Sequence, residues 1–411
     1  MKSNKEFETL VQQALSDAKK LGASQAAAEV SESQGLSLSV RKGDVETVEQ
    51  TNDRSLGVTV YHGKRRGSAS TSVLSSQAIA DTVKAAWDIA KYTAEDDFAG
   101  LPEPEDLATE FPDLKLYKPW PIETAQAIEL ALQAEAAAVG YNKAISNSEG
   151  ASVDSNTGRF VLANSLGFMG GYRYSRHGMS VAVIAGKGDR MQRDYWYTSQ
   201  RYPELLASPQ SLGEYAAQRV LARLSAKRIA TGKYPVLFEA PLAIGLLGSF
   251  TQAISGGALY RKASFLCDSL GQSVFAGHLH LREDPFIKGA MGSSAFDDEG
   301  VRTQARDLVR AGELQGYLLS SYTARKLGMK TTGNAGGSHN LRLYSDKTQT
   351  SDDFAAMLKK LGTGLLVTEL MGQGVNYVTG DYSRGAFGYW VENGEIQHAV
   401  EEITIAGNLK D

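Results

Sequence analysis

The stretch LSLSVRKGDVETVEQTNDRSLGVTV, residues 36–60, decides the fold class of this chain. Apolar and polar side chains alternate along it, and this period of two is typical of strands with one buried face. Turn-forming residues divide the wider segment, residues 27–72, at three places: Lys42-Gly43-Asp44, Asn52-Asp53 and His62-Gly63-Lys64. Hairpin-length turns leave no room for the crossovers of a parallel sheet, so we predict an antiparallel meander.

Helices are predicted on both sides of this meander. Apolar residues recur at helical spacing over residues 4–21 and again over residues 79–90, behind the capping candidates Ser75 and Ser76. A third, alanine-rich helix is predicted over residues 122–139. These helices supply apolar faces that a sheet with one buried face requires.

Strand patterning returns over residues 144–197, with interruptions predicted at Asn156-Thr157-Gly158, Gly170-Gly171 and Gly186-Lys187-Gly188. The connection over residues 96–121 contains five prolines, which indicates a linker or an irregular excursion. The order of helix, strands, two helices and strands lacks the regular alternation of strand and helix that is typical of a parallel fold. We therefore predict an α+β fold of antiparallel sheets with packed helices.

A change of character near residue 225 predicts two domains, an N-terminal α+β domain over 1–225 and a glycine-rich β domain over 226–411. The length of 411 residues fits more than one domain. The expected elements at and beyond the boundary are a helix at 211–224, a basic stretch at 226–233, a strand at 234–239, a largely buried helix at 241–254, a helix at 351–361 and a two-residue hairpin at Asn393-Gly394.

Composition restricts the class of protein. Hydrophobic content of 42%, charged content of 22% and a net charge of -4 are typical of a soluble globular chain. The isoelectric point near 6.0 argues against direct contact with nucleic acid, and the basic group Lys64, Arg65 and Arg66 is interpreted as a solvated hairpin tip. No run of 18 apolar residues is present, so we expect no membrane span and a cytoplasmic location.

The single cysteine, Cys267, excludes an internal disulfide and a CxxC metal knuckle. Its apolar neighbours Phe265 and Leu266 indicate a buried structural thiol. Neither a phosphate-binding loop nor a GxSxG nucleophile elbow occurs. The acidic run Asp297-Asp298-Glu299 does not suggest a shared carboxylate site, because neighbouring residues of a strand point to opposite faces.

Metal binding is limited by six histidines, of which no two are four or five residues apart. The helical motifs HExxH and HExxxH are therefore absent. One close pair remains, because His278 and His280 would share a face of a strand with Glu283 and Asp284 nearby. These residues form the alternative hypothesis of a zinc site in this chain, against the simpler interpretation that they are surface polar residues.

Glycine is concentrated in the C-terminal part, above all in TTGNAGGSHN, residues 331–340, which contains Gly333, Gly336 and Gly337. Two interpretations compete. The first is tight turns and bulges in a curved sheet, and the second is close backbone approach by an extended peptide.

Long stretches of the chain resemble the TldD/PmbA family, in its PmbA (TldE) branch. The stretches are GSAST (67–71), YRKASF (260–265), FDDEGVRT (296–303), GNAGGSHN (333–340), VTELMGQGVNYVTGDYSRGA (367–386) and EITIAGNLKD (402–411). The resemblance covers essentially the whole chain and implies the two-domain TldD/PmbA-like fold. Relatives of this branch continue beyond the segment that ends at Asp411, so the family tail is expected to be absent here.

The resemblance also implies an assembly in which a TldD-like partner carries HExxxH and binds zinc. At the corresponding helix this chain has Ser249, Phe250 and Ile254, which supply neither the zinc ligands nor the catalytic glutamate, so no cofactor is expected here. The candidate peptide-contact residues are Tyr260, Arg261, Gly336, Gly337 and His339.

The sequence thus favours a non-catalytic subunit that binds unfolded or extended peptides beside a zinc-bearing TldD-like partner, in peptide maturation or antitoxin degradation. One alternative is a metallopeptidase active in its own right through His278 and His280. Another, suggested by the family's link to DNA gyrase, is a regulator of that enzyme.

Overall fold

The structure is a computed structural model and describes residues 4–411. Its first sheet consists of β1 (Gln25–Arg41), β2 (Asp44–His62), β3 (Arg65–Thr71), β4 (Ile145–Asn164), β5 (Met169–Gly170), β6 (Arg173–Ala185) and β7 (Gln192–Gln200). The strand order is β3-β2-β1-β4-β6-β7, with β5 beside β4, and all pairs are antiparallel. The predicted meander is therefore confirmed.

Two of the predicted interruptions are wrong. Asn52 pairs with Gln34 inside β2, and Asn156 pairs with Gly35 inside β4. Both strands run straight through these residues because β1 lies between them and pairs with each. Cross-strand pairing has overridden the local turn preference of asparagine and glycine.

The helices around this sheet are α1 (Asn4–Lys20), α2 (Ser76–Tyr92), α3 (Thr124–Gly140) and α4 (Pro209–Ala222), as predicted to within a few residues. Ser75 caps α2 by accepting a hydrogen bond from the backbone of Ala78. The order α1-β1-β2-β3-α2 is repeated as α3-β4-β6-β7-α4. Since β1 and β4 pair at the centre, the sheet consists of two similar halves about an approximate twofold axis.

Even-numbered residues of β1 face the helices, and odd-numbered residues face the opposite side of the sheet. Val30 packs in the core beneath α1 and α2, whereas Leu38 packs in the core beneath α3 and α4. Between these two cores, the buried Glu32 accepts hydrogen bonds from Arg159 (Nη2–Oε2, 2.9 Å) and Arg54 (Nε–Oε1, 2.8 Å).

The second part of the chain contains two further sheets, of order β11-β10-β9-β12 and β15-β14-β13-β8. Their strands are β8 (Val236–Phe238), β9 (Leu279–Glu283), β10 (Arg306–Arg310), β11 (Glu313–Leu314), β12 (Leu341–Ser345), β13 (Gly364–Met371), β14 (Asp381–Glu392) and β15 (Glu395–Asn408). The helices are α5 (Ala240–Ala253), α6 (Gly256–Tyr260), α7 (Ser321–Lys326) and α8 (Phe354–Leu361).

The hairpin predicted at Asn393-Gly394 joins β14 to β15, and both residues have positive φ, 52° and 78°. Helix α5 was expected to be largely buried, but only its C-terminal half is. Ile244 in its first half is 66% exposed. The short helices α6 and α7 were not predicted, since five or six residues carry too little periodicity.

The proline-rich connection packs between the first sheet and the second part. Tyr322 donates a hydrogen bond to Asp96 (2.6 Å), and Arg325 binds the backbone carbonyls of Phe98 and Gly100 (3.2 Å each). The two parts of the chain are therefore joined by hydrogen bonds through the proline-rich connection. The domain boundary at residues 225 and 226 stays a prediction. No helix within residues 4–411 is long and apolar enough to cross a membrane.

Candidate functional site

The three residues at which the resemblance places the lost zinc motif lie at the end of α5 and directly after it, and all three are buried in the second part. Ser249 donates its hydroxyl to the carbonyl of Gly245 (3.2 Å). The Phe250 ring lies 4.9 Å from that of Phe275, and Ile254 is fully buried. These side chains point into a packed interior and offer no nitrogen or carboxylate that could hold zinc.

The histidine pair of the alternative hypothesis lies at the start of β9, and both side chains are half-buried. His280 lies 3.0 Å from the Asp346 carboxylate, and its ring stacks on Tyr344 at 4.9 Å. His278 contacts the Ser345 hydroxyl at 2.8 Å. Both rings are thus engaged by neighbours on or just after β12.

The carboxylates expected beside these histidines are directed elsewhere. Glu283 lies on the buried face of β9, opposite His280, and Asp284 accepts a hydrogen bond from the backbone of Phe286 (2.9 Å). Within residues 4–411 no three His, Cys, Asp or Glu side chains are placed to hold a metal ion together. The predicted cluster of His278, His280, Glu283 and Asp284 is therefore not formed.

A cavity of about 420 Å³ lies at the junction of the two parts. Its first wall is the helix-free face of the first sheet, with Glu29 and Ser31 of β1 beside Phe160 and Leu162 of β4. Its second wall consists of two loops, residues 291–298 and 335–339. The candidate residues Gly336, Gly337 and His339 all lie on this second wall.

The glycines of that loop are required by their backbone conformation. Gly336 and Gly337 have φ values of +96° and +118°, which L side chains rarely adopt. A Cβ at Gly336 would collide with the Asp298 carboxylate, whereas a Cβ at Gly337 would meet no atom within 4 Å. The atoms beside Gly336 belong to the exposed end of the Asp298 side chain, so it is the positive φ that requires glycine there, and the open space beside Gly337 leaves the mouth of the cavity open.

His339 is fixed by a buried polar network. Glu283 Oε1 accepts hydrogen bonds from the His339 backbone (2.8 Å) and from Asn334 (2.8 Å), and it lies 3.1 Å from His339 Nδ1. Arg306 binds the other oxygen at 3.0 Å. With a neutral ring the proton sits on Nδ1, which leaves Nε2 as a hydrogen-bond acceptor.

Asp297 anchors the second wall. Its carboxylate accepts three backbone hydrogen bonds of 2.9 Å, from Glu299, Val301 and Ala335. Burial raises the pKa of Asp297 to about 7, although these three donors oppose the shift. The expectation that Asp297 and Asp298 are strand neighbours is wrong, because they form a turn that places Asp298 in the cavity.

Glu29 and Asp298 face the cavity from its two walls as exposed carboxylates, and His339 on the second wall favours the charged form of Asp298. Crowding by protein raises the pKa of both carboxyls, and the negative charge of Asp298 raises that of Glu29 further. No lysine or arginine of the described chain lines this cavity. The site therefore presents unpaired negative charge beside an open glycine loop.

Comparison with known proteins places the chain in a family. Residues 26–90, 117–224 and 231–411 match, in order, the domains described as PmbA/TldA metallopeptidase domain 1, central domain and C-terminal domain. Metalloprotease PmbA of Escherichia coli O157:H7 is 51% identical over 382 residues, which cover 93% of this chain and 84% of that protein. The chain belongs to the PmbA branch of the PmbA/TldD family.

Solved structures agree with this assignment. A protein of Bacteroides thetaiotaomicron, described as a candidate modulator of DNA gyrase, superposes with a TM-score of 0.92 at 29% identity, covering 98% of this chain and 91% of that one. TldE of Thermococcus kodakarensis has a TM-score of 0.83 at 20% identity, with 98% and 92% covered. The α+β, TldD/PmbA-like fold of this PmbA-family chain is thereby confirmed.

A second cavity, of about 800 Å³, adjoins the first and shares Leu162 and Asp298 with it. Lys64, Arg66 and Lys326 line its far end. The basic group lies at the tip of the hairpin that joins β2 to β3, where Lys64 and Arg66 are exposed, in agreement with the interpretation from the sequence. Lys64 also donates a hydrogen bond to the carbonyl of Ala99 at 3.3 Å.

Tyr260 and Arg261, the remaining peptide-contact candidates, do not line either cavity. Their side chains contact each other, and the Tyr260 ring packs edge-on against Tyr322 at 6.0 Å. Tyr322 in turn lines the larger cavity. Sequence reasoning found the glycine loop of the site but missed Glu29 and Asn164, which only the pairing of β1 with β4 brings to it.

Proposed function

We propose that this chain is the zinc-free subunit of a peptidase complex of the TldD/TldE type, acting with a zinc-bearing TldD-like partner on unfolded or extended peptides. The observation that carries the proposal is the burial of Ser249, Phe250 and Ile254 in the core. A zinc peptidase needs ligands and a base at an open site, and this helix end provides neither. The relative named metalloprotease PmbA supports the assignment of this chain to a peptidase complex.

The role in peptide binding rests on the cavity at the junction. Gly337 leaves room for a peptide backbone, and the neighbouring β12 pairs only with β9 among the described strands. An extended chain presents backbone donors and acceptors that such a surface can satisfy. The residues of this chain would therefore bind and orient the peptide, while bond cleavage falls to the partner.

Zinc content and hydrolysis of the purified chain test this proposal. The chain, prepared without chelator and then offered one equivalent of zinc, is expected to retain no stoichiometric metal and to leave an unfolded fluorogenic peptide intact. The TldD-like protein from the same cell, treated in parallel, serves as the control for metal retention. Stoichiometric zinc together with robust hydrolysis by this chain alone would refute the proposal.

A further inference from the structure

Ser155 of β4 and His177 of β6 are a cross-strand pair on the side of the first sheet that faces the helices. Ser155 Oγ lies 3.0 Å from His177 Nδ1. The other ring nitrogen, Nε2, lies 2.9 Å from the carbonyl oxygen of Lys118. A carbonyl oxygen only accepts hydrogen bonds, so Nε2 carries the ring proton and Nδ1 accepts the hydrogen bond of the serine.

The imidazole is held in this orientation by its surroundings. Lys118 is itself fixed, because its backbone N–H donates to the buried Ser175 hydroxyl at 2.9 Å. The ring of Trp120 packs edge-on against His177 at 5.6 Å. Burial lowers the pKa of His177, although the hydrogen bond to Lys118 and the charge of Glu204 oppose the shift. The ring is therefore neutral at neutral pH and can accept a proton.

A cavity of about 1060 Å³ gives a ligand access to Ser155, which lines it, while His177 lies buried behind the serine. The described lining is mainly neutral, and its charged side chains are Glu123 and Arg173. The first turn of α3 lines the same cavity, and the backbone N–H groups at the start of a helix bear partial positive charge. Such donors stabilise the oxyanion of an acyl-transfer reaction.

A hydroxyl within hydrogen-bond reach of an imidazole that a third group orients is the arrangement of an activated nucleophile. We propose that Ser155 and His177 form a metal-independent acyl-transfer site that hydrolyses neutral carboxylic esters. The Ser155 oxygen attacks the ester carbonyl carbon while its proton passes to His177 Nδ1. The bond to the alcohol oxygen then breaks, and that oxygen takes the proton from Nδ1. Water attacks the acyl group with the help of the same nitrogen, the acid leaves, and the proton returns to Ser155.

Esters rather than peptides are the expected substrates, because the group that orients His177 is a neutral carbonyl. A carboxylate in that position stabilises the imidazolium that forms during the attack, and a carbonyl does so less. An amide nitrogen is a poorer leaving group than an alcohol oxygen and therefore needs the stronger arrangement. The inference goes beyond the proposed function, in which the cleavage of peptides belongs to the zinc-bearing partner.

Labelling with a fluorophosphonate, which bonds covalently to activated serines, tests the inference on the whole chain in the presence of EDTA. Mass spectrometry should find the label on Ser155. Hydrolysis of p-nitrophenyl butyrate should fall by about 100-fold in Ser155→Ala and in His177→Gln. Ser152→Ala is the matched control, since this serine lies on the same strand but on the helix-free face, and it should leave the rate unchanged.

Ser155→Cys provides a measurement that does not depend on the folding of a variant at the buried histidine. A thiol beside the imidazole should react with iodoacetamide at a lower pH than an ordinary cysteine does, above the background from Cys267 in the parent chain. The rate of ester hydrolysis by the parent should fall as pH drops through the lowered pKa of His177 and should be level above it.

Absence of the label from Ser155, or ester hydrolysis that survives in Ser155→Ala, would overturn the inference. A rate that rises in proportion to hydroxide throughout the alkaline range would also overturn it, because no imidazole base would then be involved. None of these results bears on the proposed function, since the assays contain neither zinc nor the partner. Conversely, a chain that hydrolyses esters but never assists a TldD-like partner would contradict the proposed function alone.

Discussion

Two glutamates three residues apart on β1 lie on opposite faces of the first sheet and have opposite surroundings. Glu32 faces the helices and is buried between Arg159 and Arg54. Glu29 faces the junction cavity and has no such partner. Burial alone would raise the pKa of Glu32, yet the hydrogen bonds and charges of the two arginines lower it, whereas the pKa of Glu29 is raised.

The two carboxylates differ in their contribution to stability, because Glu32 is ion-paired inside the fold and Glu29 is not. The arginines satisfy Glu32, so its charge contributes to holding the two halves of the sheet together. Glu29 is an exposed side chain without a partner, and the surrounding protein and the negative charge of Asp298 raise its pKa.

Replacement of each glutamate by glutamine gives the largest expected contrast. Glu32→Gln should destabilise the chain by about 3–5 kcal/mol, because it leaves Arg159 buried without its counter-ion. Glu29→Gln should not destabilise it. Urea unfolding of both variants beside the parent chain measures the difference, and equal losses of stability would remove the distinction between the two faces.

Helix α5 extends the comparison to the second part of the chain. Phe250→Ala should cost about 3–5 kcal/mol, since it empties a packed core position. The matched change on the exposed half of the same helix, Ile244→Ala, should fall within about 0.5 kcal/mol of the parent. If Phe250→Ala proved as mild as Ile244→Ala, the claim that this end of α5 is closed would fail.

Gly336→Ala probes the open wall of the cavity. The positive φ should cost about 1–3 kcal/mol, whereas the atoms that the new Cβ meets belong to the exposed end of the Asp298 side chain, which can move away. Gly337→Ala also places a side chain at a positive φ, with open space around it, so it should cost a similar amount. Thermal unfolding compares each variant with the parent, and unchanged midpoints for both would argue against a conformational requirement for glycine in this loop.

The smallest expected effect is the pH dependence of the two glutamate variants. The folded pKa of Glu29 lies above its unfolded value, so the charged form opposes folding at pH above the folded pKa, and this penalty disappears below the unfolded pKa. Glu29→Gln should therefore raise the melting temperature at pH 7.5 by at most about 2 °C, and the gain should vanish on acidification.

For Glu32 the dependence of stability on pH has the opposite sign. Its folded pKa is lowered, so its stabilisation is present above the unfolded pKa and is lost as pH falls through the folded value. The loss caused by Glu32→Gln should accordingly shrink on acidification. Melting curves between pH 3 and pH 8 test both trends, and a gain from Glu29→Gln that grew at low pH would contradict the assigned environment.

Local signals explain what the sequence could predict. The helices, the cap at Ser75 and the hairpin at Asn393-Gly394 depend on residues within a few positions of one another. The turn predicted at Asn52-Asp53 failed because β1, a long partner strand, holds those residues extended. Local preference is weak against pairing along a whole strand.

The cavity was only partly predictable for the same reason. Gly336, Gly337 and His339 lie in one short loop that its glycines make conspicuous. Glu29 and Asp298 are brought together by the packing of the two parts, and no local pattern connects residues so far apart in the sequence. Asp298 was discounted because a strand was assumed where the chain makes a turn.

The most direct test of the account is a titration of this chain into a fixed amount of its TldD-like partner, with the rate of hydrolysis of an unfolded peptide as the readout. The account predicts negligible hydrolysis by this chain alone, and a rate that rises with added chain and saturates at a fixed stoichiometry with all zinc in the partner. Full activity of the partner without this chain, or hydrolysis by this chain without the partner, would contradict it.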